Sequence, residues 1–476
     1  MSATPTKQTA RIVIIGAGAA GIAAATRLLA QGFKQVCILE AENRIGGRIN
    51  TVAFGDSVVD KGAQWCHGEE GNVVYELVKQ TKLLDRTGDV LKAVKFVRSN
   101  WQILEDEVAY VLGSAIESAW PTGPEETNGS LGDHVSVNYW RGLEKAPPVD
   151  REIAAELLES MKKLRCSYTA SDHLFMVSKR AHLEFHNCPG EFMWNWQDKG
   201  YRTILKTLMQ AKLSEPEHLG VLQDKIQLAK PLAEIDYTQP KLVKLRCWNG
   251  ELITADHVIC TVSLGVLKAQ HEQLFKPALP AAKVRAIKGL HLGTVNKFFL
   301  EYESQPLPYD WVGANFLWLF EDLAVLRGSE RFWLESVFGF HRVLHQPRLL
   351  QAWIIGEHAR HMETLSEQEV LDGLQWLFRK FLPFNMPQPQ AFIRTQWHSN
   401  PNFRGSYSSR TNYTDELRTG PWDLETPLLD EAGRPRVHFA GEATNKHHHS
   451  SVHGAIETGW READRLNQYY NARNAQ

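Results

Sequence analysis

The N-terminal part of the chain changes from a short apolar run to a glycine-rich turn. Residues 11–15 read Arg-Ile-Val-Ile-Ile, which is typical of a buried β-strand. The turn 16–21 follows at once, and the alanine-rich segment 22–29 has the composition of a helix. A second apolar run, 35–39, ends at the acidic residue Glu40. The pattern therefore predicts a strand–turn–helix–strand unit of the Rossmann type.

The turn reads Gly-Ala-Gly-Ala-Ala-Gly, and its spacing is that of a dinucleotide-binding loop. Gly16 permits the tight turn, Gly18 lets the backbone approach a pyrophosphate, and Gly21 lets helix and strand pack closely. The helix N-terminus, which includes Ala20, offers free N–H groups to phosphates. Glu40 can accept hydrogen bonds from ribose hydroxyls and disfavours a 2′-phosphate. The alternative is an ordinary glycine-rich turn without a ligand.

Length, charge and cysteine spacing narrow the class of protein. The chain has 476 residues, enough for at least two packed units, and a net charge of -2 that does not favour nucleic-acid or membrane binding. No run of about 18 apolar residues predicts a membrane-spanning helix. The cysteines lack metal-ligand spacing and the polar N-terminus lacks a signal core, so we expect free thiols and a cytoplasmic location. The sequence does not define the oligomeric state, and a monomer is the default expectation.

A second glycine motif follows the acidic residue. Residues 40–48 read Glu-Ala-Glu-Asn-Arg-Ile-Gly-Gly-Arg, so that two arginines bracket a glycine pair. Such a loop can fold over a pyrophosphate, with Arg44 or Arg48 supplying positive charge. After a glycine-rich turn, this motif resembles the flavin amine oxidase superfamily, which includes monoamine oxidases, polyamine oxidases and histone demethylases. The resemblance selects FAD over NAD as the expected cofactor.

Further motifs extend the resemblance along nearly the whole chain. In the family's order, they stand at residues 62–68, 256–268, 275–280, 291–300, 397–408, 439–444 and 452–455. Three of these segments look most like those of animal spermine and acetylpolyamine oxidases: the pair His67-Gly68, the run 292–302 and the run 399–408.

The resemblance implies an α/β fold, mixed in character, with two interleaved domains. A Rossmann-type FAD-binding domain is expected from residues 9–90, 205–292 and 388–470. A substrate-binding domain, with a mixed sheet and helices, is expected from residues 91–204 and 293–387.

The resemblance also implies the residues that contact FAD. Leu232 would pack beside the adenine, Trp397 near the flavin, and the Val452 N–H would meet the flavin pyrimidine. Position 406 is serine where monoamine oxidases carry the cysteine that bonds the flavin, so FAD is expected to be non-covalent. The implied cofactor-binding set is Gly16, Gly18, Ala20, Gly21, Glu40, Arg48, Gly62, Ala63, Gln64, Trp65, Leu232, Trp397, Gly441, Glu442 and Val452.

Three residues are implied to act at the flavin. Lys297, in an apolar run, would be a buried lysine that holds a water at the reactive flavin nitrogen, its pKa lowered by burial. The alternative is a lysine at a strand edge that points to solvent. His67 would align or deprotonate the substrate amine, or serve as a structural histidine. Tyr407 would form one wall of an aromatic cage, or pack in the core.

The substrate side of the site differs from that of monoamine oxidases. Ser451 stands where they have a second cage tyrosine, which implies a wider channel. Glu184 stands near the place of an acid in acetylpolyamine and spermine oxidases and would attract a polycation; a solvated surface glutamate is the alternative. The histidine run 447–449, with His453 nearby, does not predict a metal site, because adjacent side chains cannot all converge on one ion.

The expected function is that of a polyamine oxidase. It would oxidise a secondary amine of spermine or an acetylated polyamine to an imine, which water hydrolyses to an aldehyde and an amine, while oxygen becomes hydrogen peroxide. The expected partners are therefore a small polyamine and oxygen, without nucleic acid or membrane. Two alternatives remain: an oxidase of another amine, and a silent relative that keeps FAD and acts as a binding or regulatory protein.

Overall fold

The structure, a computed structural model, describes residues 5–86, 94–123 and 128–474. Within these ranges the strands are β1 (Arg11–Ile15), β2 (Gln35–Leu39), β3 (Thr51–Phe54), β4 (Ser57–Asp60), β5 (Trp65–Cys66), β6 (Leu84–Arg86), β7 (Val94–Arg98), β8 (Trp194–Trp196), β9 (Ile226–Gln227), β10 (Leu232–Asp236), β11 (Val243–Cys247), β12 (Leu252–Ala255), β13 (His257–Cys260), β14 (Phe275–Lys276), β15 (His291–Leu292), β16 (Val295–Glu301), β17 (Gly313–Leu317), β18 (Gly339–Val343), β19 (Gln346–Ile355), β20 (Ala391–Arg394), β21 (Ser408–Ser409), β22 (Leu428–Leu429) and β23 (Pro435–Phe439).

The same ranges contain the α-helices α1 (Ala19–Ala30), α2 (Val73–Val78), α3 (Asp106–Glu117), α4 (Leu131–Leu143), α5 (Arg151–Thr169), α6 (Lys179–Glu184), α7 (Thr203–Leu208), α8 (Leu264–Leu274), α9 (Ala281–Gly289), α10 (Phe320–Arg327), α11 (Gly356–Met362), α12 (Glu367–Phe381), α13 (Asn412–Glu416), α14 (Pro421–Glu425) and α15 (Val452–Asn474). The strand–turn–helix–strand unit predicted at the N-terminus is present as β1, α1 and β2.

The first large sheet has the strand order β22-β23-β13-β1-β2-β9. Its neighbours are parallel, except for the antiparallel pair β22 and β23. One face packs against α1 and α15, and the other packs against α8, α9 and the sheet β12-β11-β10-β14. Because both faces are covered, β1 is apolar at every position after Arg11. The N-terminus of α1 therefore lies at the carboxyl edge of the sheet, where open α/β sheets bind ligands.

The second large sheet has the strand order β20-β16-β19-β18-β17-β7. It is mixed, since β7 and β17 are parallel and the other neighbours are antiparallel. One face packs against α10, α11 and α12, and the other against α3, α4 and α5. Strand β16, next to the edge strand β20, is buried almost throughout, so its one lysine is carried into the interior.

The chain passes repeatedly between the two sheets, so the predicted α/β class with a Rossmann-type sheet and a second mixed sheet is confirmed. Strand β20 pairs with β16 in the second sheet, although the predicted FAD segment begins at residue 388. The predicted boundary between residues 90 and 91 lies outside the described residues, and the division into domains stays a prediction. Among the described helices, none combines the length and apolar character needed to cross a bilayer.

Candidate active site

A cavity of about 1250 Å³ extends from the carboxyl edge of the first sheet to the second sheet. Its volume exceeds that of pockets for drug-sized ligands, which reach roughly 1,000 Å³. Most of the residues predicted to bind cofactor or substrate line it. They are Gly16, Gly18, Ala20, Glu40, Arg48, Gly62, Ala63, Gln64, Trp65, His67, Leu232, Lys297, Trp397, Tyr407, Gly441, Glu442, Ser451 and Val452.

The glycine-rich turn leaves one end of this cavity open to a ligand. Helix α1 begins after Gly18 without a side-chain cap and without an acidic residue in its first turn, so its first N–H groups are free to meet an anion. A Cβ added at Gly18 would meet only the Gly46 carbonyl oxygen, at 3.9 Å, because it would project into the cavity. Gly21 does not line the cavity; a Cβ there would lie 2.0 Å from the Gly16 carbonyl oxygen, which confirms its predicted packing role.

The carboxylate of Glu40 closes the same turn from the second strand. One oxygen accepts a hydrogen bond from the Ala17 N–H at 2.7 Å, and the other accepts from the Glu42 N–H at 2.8 Å. Burial raises the pKa of Glu40, although these two hydrogen bonds oppose the increase. Each oxygen retains a further lone pair, which a ribose hydroxyl could use. The turn and Glu40 together fit the ribose–pyrophosphate part of a dinucleotide.

Arg48 and Glu442 form an ion pair beside the middle of the cavity. Arg48 donates to Glu442 Oε1 at 2.8 Å and to the Ser406 carbonyl oxygen at 2.7 Å. The other Glu442 oxygen accepts from the Ser408 hydroxyl at 2.6 Å and from the Ser450 N–H at 2.8 Å. Burial raises the pKa of Glu442, but Arg48 and the hydroxyl of Ser408 outweigh it, and the net shift is downward. Arg44, the alternative source of charge, is not among the lining residues.

Replacing Arg48 by methionine is expected to destabilise the fold by about 3 kcal/mol, because Glu442 would remain buried without its partner. This value is at the low end for buried pairs, since the Arg48 side chain is 26% exposed. A carboxylate with a depressed pKa contributes stability above its unfolded value of 4.5 and loses it as the pH falls through the folded value. The variant should therefore lose less stability in acid than the wild type. Urea unfolding at pH 7 and pH 4 would measure both effects.

The matched control for this variant is Arg27→Met. Arg27 pairs with Asp464 at 2.7 Å on the surface, where both side chains are more than one third exposed. Such pairs contribute at most about 1 kcal/mol. Equal losses in the two variants would contradict the inferred role of Arg48.

Lys297 lies in β16 and is buried, which excludes the alternative that it points to solvent. Its Nζ donates to three oxygens: the carbonyls of Asp60 and Gly62, at 2.9 and 2.8 Å, and Gln64 Oε1 at 2.7 Å. Burial lowers the pKa of Lys297 to about 7, although the Asp60 carboxylate opposes this. The three N–H groups of the ammonium are all used, so the predicted water would have to replace one acceptor.

Gln64 is the acceptor that a water could replace. Unlike the two carbonyls, it is a side chain, and its Nε2 is held by Gln351 Oε1 at 2.9 Å. Loss of a proton from Lys297 would also free one contact and leave a lone pair on Nζ. The geometry thus makes Lys297 a group that can hold or release a proton at neutral pH.

His67 occupies the cavity wall beside Trp65 and Phe192. Its Nδ1 is 2.9 Å from the Phe192 carbonyl oxygen. A carbonyl oxygen only accepts, so Nδ1 carries the proton and Nε2 of the neutral ring holds the lone pair. Burial lowers the pKa of His67, which keeps the ring neutral at pH 7. This tautomer leaves Nε2 able to accept a hydrogen bond from an amine.

Aromatic side chains surround this part of the cavity. Trp65 lies 5.5 Å from Trp353, ring centre to ring centre, and Trp397 lies 5.3 Å from Phe403 in an edge-to-face arrangement. The Tyr407 hydroxyl donates to the Ser167 carbonyl oxygen, which fixes the ring at the wall. Ser451 also lines the cavity, and its hydroxyl donates to the His448 carbonyl oxygen at 2.7 Å. Phe192, Phe338 and Trp353 also line the cavity, and no sequence motif marks them.

Glu184 is the predicted substrate residue that the structure does not bring to the cavity. Its carboxylate pairs with the buried guanidinium of Arg410, and the residue is absent from the lining. Glu117, at the end of α3, does line the cavity, with its side chain 67% exposed and 3.6 Å from Arg165. No sequence motif marks Glu117; only the packing of α3 reveals it. The role predicted for Glu184 stays a prediction.

The Rossmann-type sheet, the open helix N-terminus and the buried lysine on a second sheet define an oxidoreductase that uses a dinucleotide cofactor. The chain belongs to the family of flavin containing amine oxidoreductases, whose family model matches residues 19–467. FAD is therefore the cofactor, and the residues at the glycine-rich turn fit it.

Related proteins span nearly the whole chain. The human peroxisomal N(1)-acetyl-spermine/spermidine oxidase is 30% identical, over 96% of this chain and 94% of its own. The probable polyamine oxidase 5 of Arabidopsis thaliana is 28% identical, over 97% of this chain and 98% of its own. The solved structure of wild-type putrescine oxidase bound to putrescine has a TM-score of 0.69 at 17% identity, over 96% and 98%, which shows a shared fold.

Proposed function

We propose that this amine oxidase is a polyamine oxidase that acts on a secondary amine of spermine or of an acetylated polyamine. The products would be an imine, hydrolysed to an aldehyde and an amine, and hydrogen peroxide from oxygen. Bound FAD supplies the redox chemistry, by accepting a hydride equivalent from the carbon next to the amine and passing electrons to oxygen. The observation that carries the proposal is one continuous cavity, which joins the nucleotide site to Lys297, His67 and an aromatic wall.

The first task of the protein is to bind the reacting amine without its proton. A protonated amine has no lone pair, so hydride loss from the neighbouring carbon is unfavourable. His67 lines the cavity with a neutral ring whose Nε2 carries the lone pair, and the aromatic residues Trp65 and Tyr407 line the same cavity. His67 would accept the proton, and the aromatic faces would orient the amine.

The second task is to handle a proton where the flavin ring is expected to lie. Lys297 is held by the backbone of the segment that follows β4 and by Gln64, both at the cavity wall. Its lowered pKa lets it exist in both protonation states near neutral pH. Lys297 would position a water, or exchange a proton, during reoxidation.

A polycationic substrate also needs a carboxylate away from the reacting amine. Among the described residues, the carboxylates that line the cavity are Glu40, Glu117 and Glu442. Glu40 and Glu442 are held by backbone or arginine donors. Glu117 is largely exposed beside Arg165 and is the best placed to meet a distal ammonium group.

The variant Glu117→Gln is expected to raise KM for spermine by about 2- to 5-fold, the range of an exposed ion pair. The effect should be smaller for N1-acetylspermine, which carries one charge fewer. Glu184→Gln is the matched comparison: it should leave KM unchanged and lower the melting temperature, because Arg410 is 2% exposed and would lose a partner. A raised KM in Glu184→Gln alone would restore Glu184 as the substrate residue.

An anaerobic mixing experiment tests the proposed function. The purified yellow protein is mixed with spermine, spermidine, N1-acetylspermine or putrescine in separate runs, and the absorbance of oxidised flavin is followed. Rapid bleaching by spermine or the acetylated form is the expected result. Bleaching by another amine alone would identify a different amine oxidase, and no bleaching by any amine would favour the silent relative.

A further inference from the structure

A cysteine and two histidines, the cysteine distant in sequence from the histidines, meet at one side of the cavity. They are Cys188, from the segment between α6 and β8, His448, from the loop before α15, and His453, from the first turn of α15. The thiol sulfur and one ring nitrogen of each histidine lie within 4.8 Å of one another. Cys188 and His453 also line the cavity.

His453 has a buried nitrogen without a partner. The residue is 6% exposed, and its Nε2 makes no hydrogen bond. A buried polar atom without a partner is costly, and native proteins seldom keep one without a reason.

His448 is oriented in the way that metal-binding histidines are. Its Nδ1 lies 2.9 and 2.8 Å from the two carboxylate oxygens of Glu457. Glu457 in turn accepts a hydrogen bond from Asn445 Nδ2 at 2.8 Å. Asn445 Oδ1 accepts a hydrogen bond from the backbone N–H of His448 at 2.9 Å. A carboxylate on one ring nitrogen fixes the tautomer and leaves the other nitrogen as a stronger ligand.

We propose that Cys188, His448 and His453 bind a divalent cation of the Zn²⁺ type, with Glu457 as the residue that orients His448. A thiolate and two imidazoles form a ligand set that zinc prefers. Tetrahedral zinc with these ligands holds its donor atoms about 3.5 Å apart, so a small side-chain rotation would close the 4.8 Å cluster. A fourth ligand, such as water, would come from the cavity.

The proposed site does not use all three histidines of the run 447–449. His447 stacks on His186, with ring centres 4.0 Å apart, and His449 packs edge-on against Phe185 at 5.3 Å. His448 is the member of the run that joins the cluster, within the described part of the chain. The spacing of residues around the histidine run did not predict a metal site, because the third ligand, Cys188, lies far away in sequence.

Metal titration of the FAD-containing protein tests the proposal. The protein is treated with a chelator, freed of it, and titrated with ZnCl₂ by calorimetry. A separate metal-free sample is titrated with Co²⁺ as a second probe, because its ligand-field and thiolate charge-transfer bands report the ligands directly. We expect one equivalent of either ion in the wild type. Cys188→Ser and His448→Gln should abolish this binding, and Glu457→Gln should weaken it by about 10- to 100-fold.

Two variants serve as matched controls. His447→Gln removes the adjacent histidine of the run, and Cys37→Ser removes another partly accessible thiol, so both should bind zinc like the wild type. Flavin absorbance and circular dichroism verify that each variant is folded. If Cys188→Ser does not fold, the zinc binding of His448→Gln and Glu457→Gln tests the proposal. Absence of stoichiometric binding, binding that survives both His448→Gln and Glu457→Gln, or binding lost in His447→Gln would each overturn the proposal.

Discussion

Replacing Lys297 by methionine is expected to lower the rate of turnover by about 100- to 10,000-fold, the range for loss of a group that handles protons. Methionine keeps the length and apolar stem of lysine but cannot donate to Asp60, Gly62 and Gln64. Stopped-flow absorbance would follow flavin reduction by the amine and, separately, reoxidation by oxygen. The proposed role predicts that reoxidation carries most of the loss.

Lys283 offers a matched control for this variant. It is also buried, its Nζ donates to the carbonyl oxygens of Asp423, Leu424 and Thr426, and burial lowers its pKa to about 7. Unlike Lys297, it does not line the cavity. Lys283→Met should therefore lose stability without a comparable loss in either half-reaction. If both variants lost activity in proportion to their stability, Lys297 would be a structural residue.

The pH dependence of reoxidation in the wild type is expected to follow the protonation of Lys297. Because its pKa is lowered to about 7, Lys297 changes from ammonium to amine as the pH rises through 7. If the slow step needs the neutral amine, the reoxidation rate should rise between pH 6 and pH 8 and then level. That inflection should be absent from the residual rate of Lys297→Met, whereas Lys283→Met should retain it.

The nucleotide end of the site can be predicted from sequence because its chemistry is local. Gly16, Gly18, Gly21 and Glu40 belong to one strand–turn–helix–strand unit, and their spacing alone determines where a phosphate can approach.

The substrate end of the site is formed by contacts between residues that are far apart in sequence. The apolar run around Lys297 indicates burial, but only the folded chain shows that Gln64 accepts from its Nζ. Glu184 lies near the expected place in sequence, yet its carboxylate pairs with Arg410 and the residue is not among those that line the cavity. Cys188 has no motif at all, and meets His448 because two loops pack side by side. Sequence motifs thus point to Lys297 and Glu184 but not to Cys188, and they give the side-chain contacts of none of the three.

Replacing Gly18 by valine is expected to raise the dissociation constant of FAD by about 10- to 100-fold, which corresponds to roughly 1–3 kcal/mol of steric overlap. Gly18 has φ -75° and ψ -178°, an extended conformation that valine adopts without strain. The added side chain would project into the cavity at the N-terminus of α1, where the pyrophosphate is expected. The protein should therefore fold and be purified with little or no yellow colour. Flavin absorbance and fluorescence titration of the ligand-free protein with FAD would measure the change.

Gly113→Val is the matched control, because Gly113 lies in α3, where an added Cβ meets no atom within 4 Å, and it does not line the cavity. It should bind FAD like the wild type. Circular dichroism and the unfolding midpoint of both variants without ligand separate a binding effect from a folding effect, since valine is sterically allowed at position 18. A colourless Gly18→Val with a wild-type unfolding midpoint would place the pyrophosphate at this turn. A yellow Gly18→Val with unchanged FAD affinity would contradict that assignment and, with it, the roles inferred for Glu40 and the start of α1.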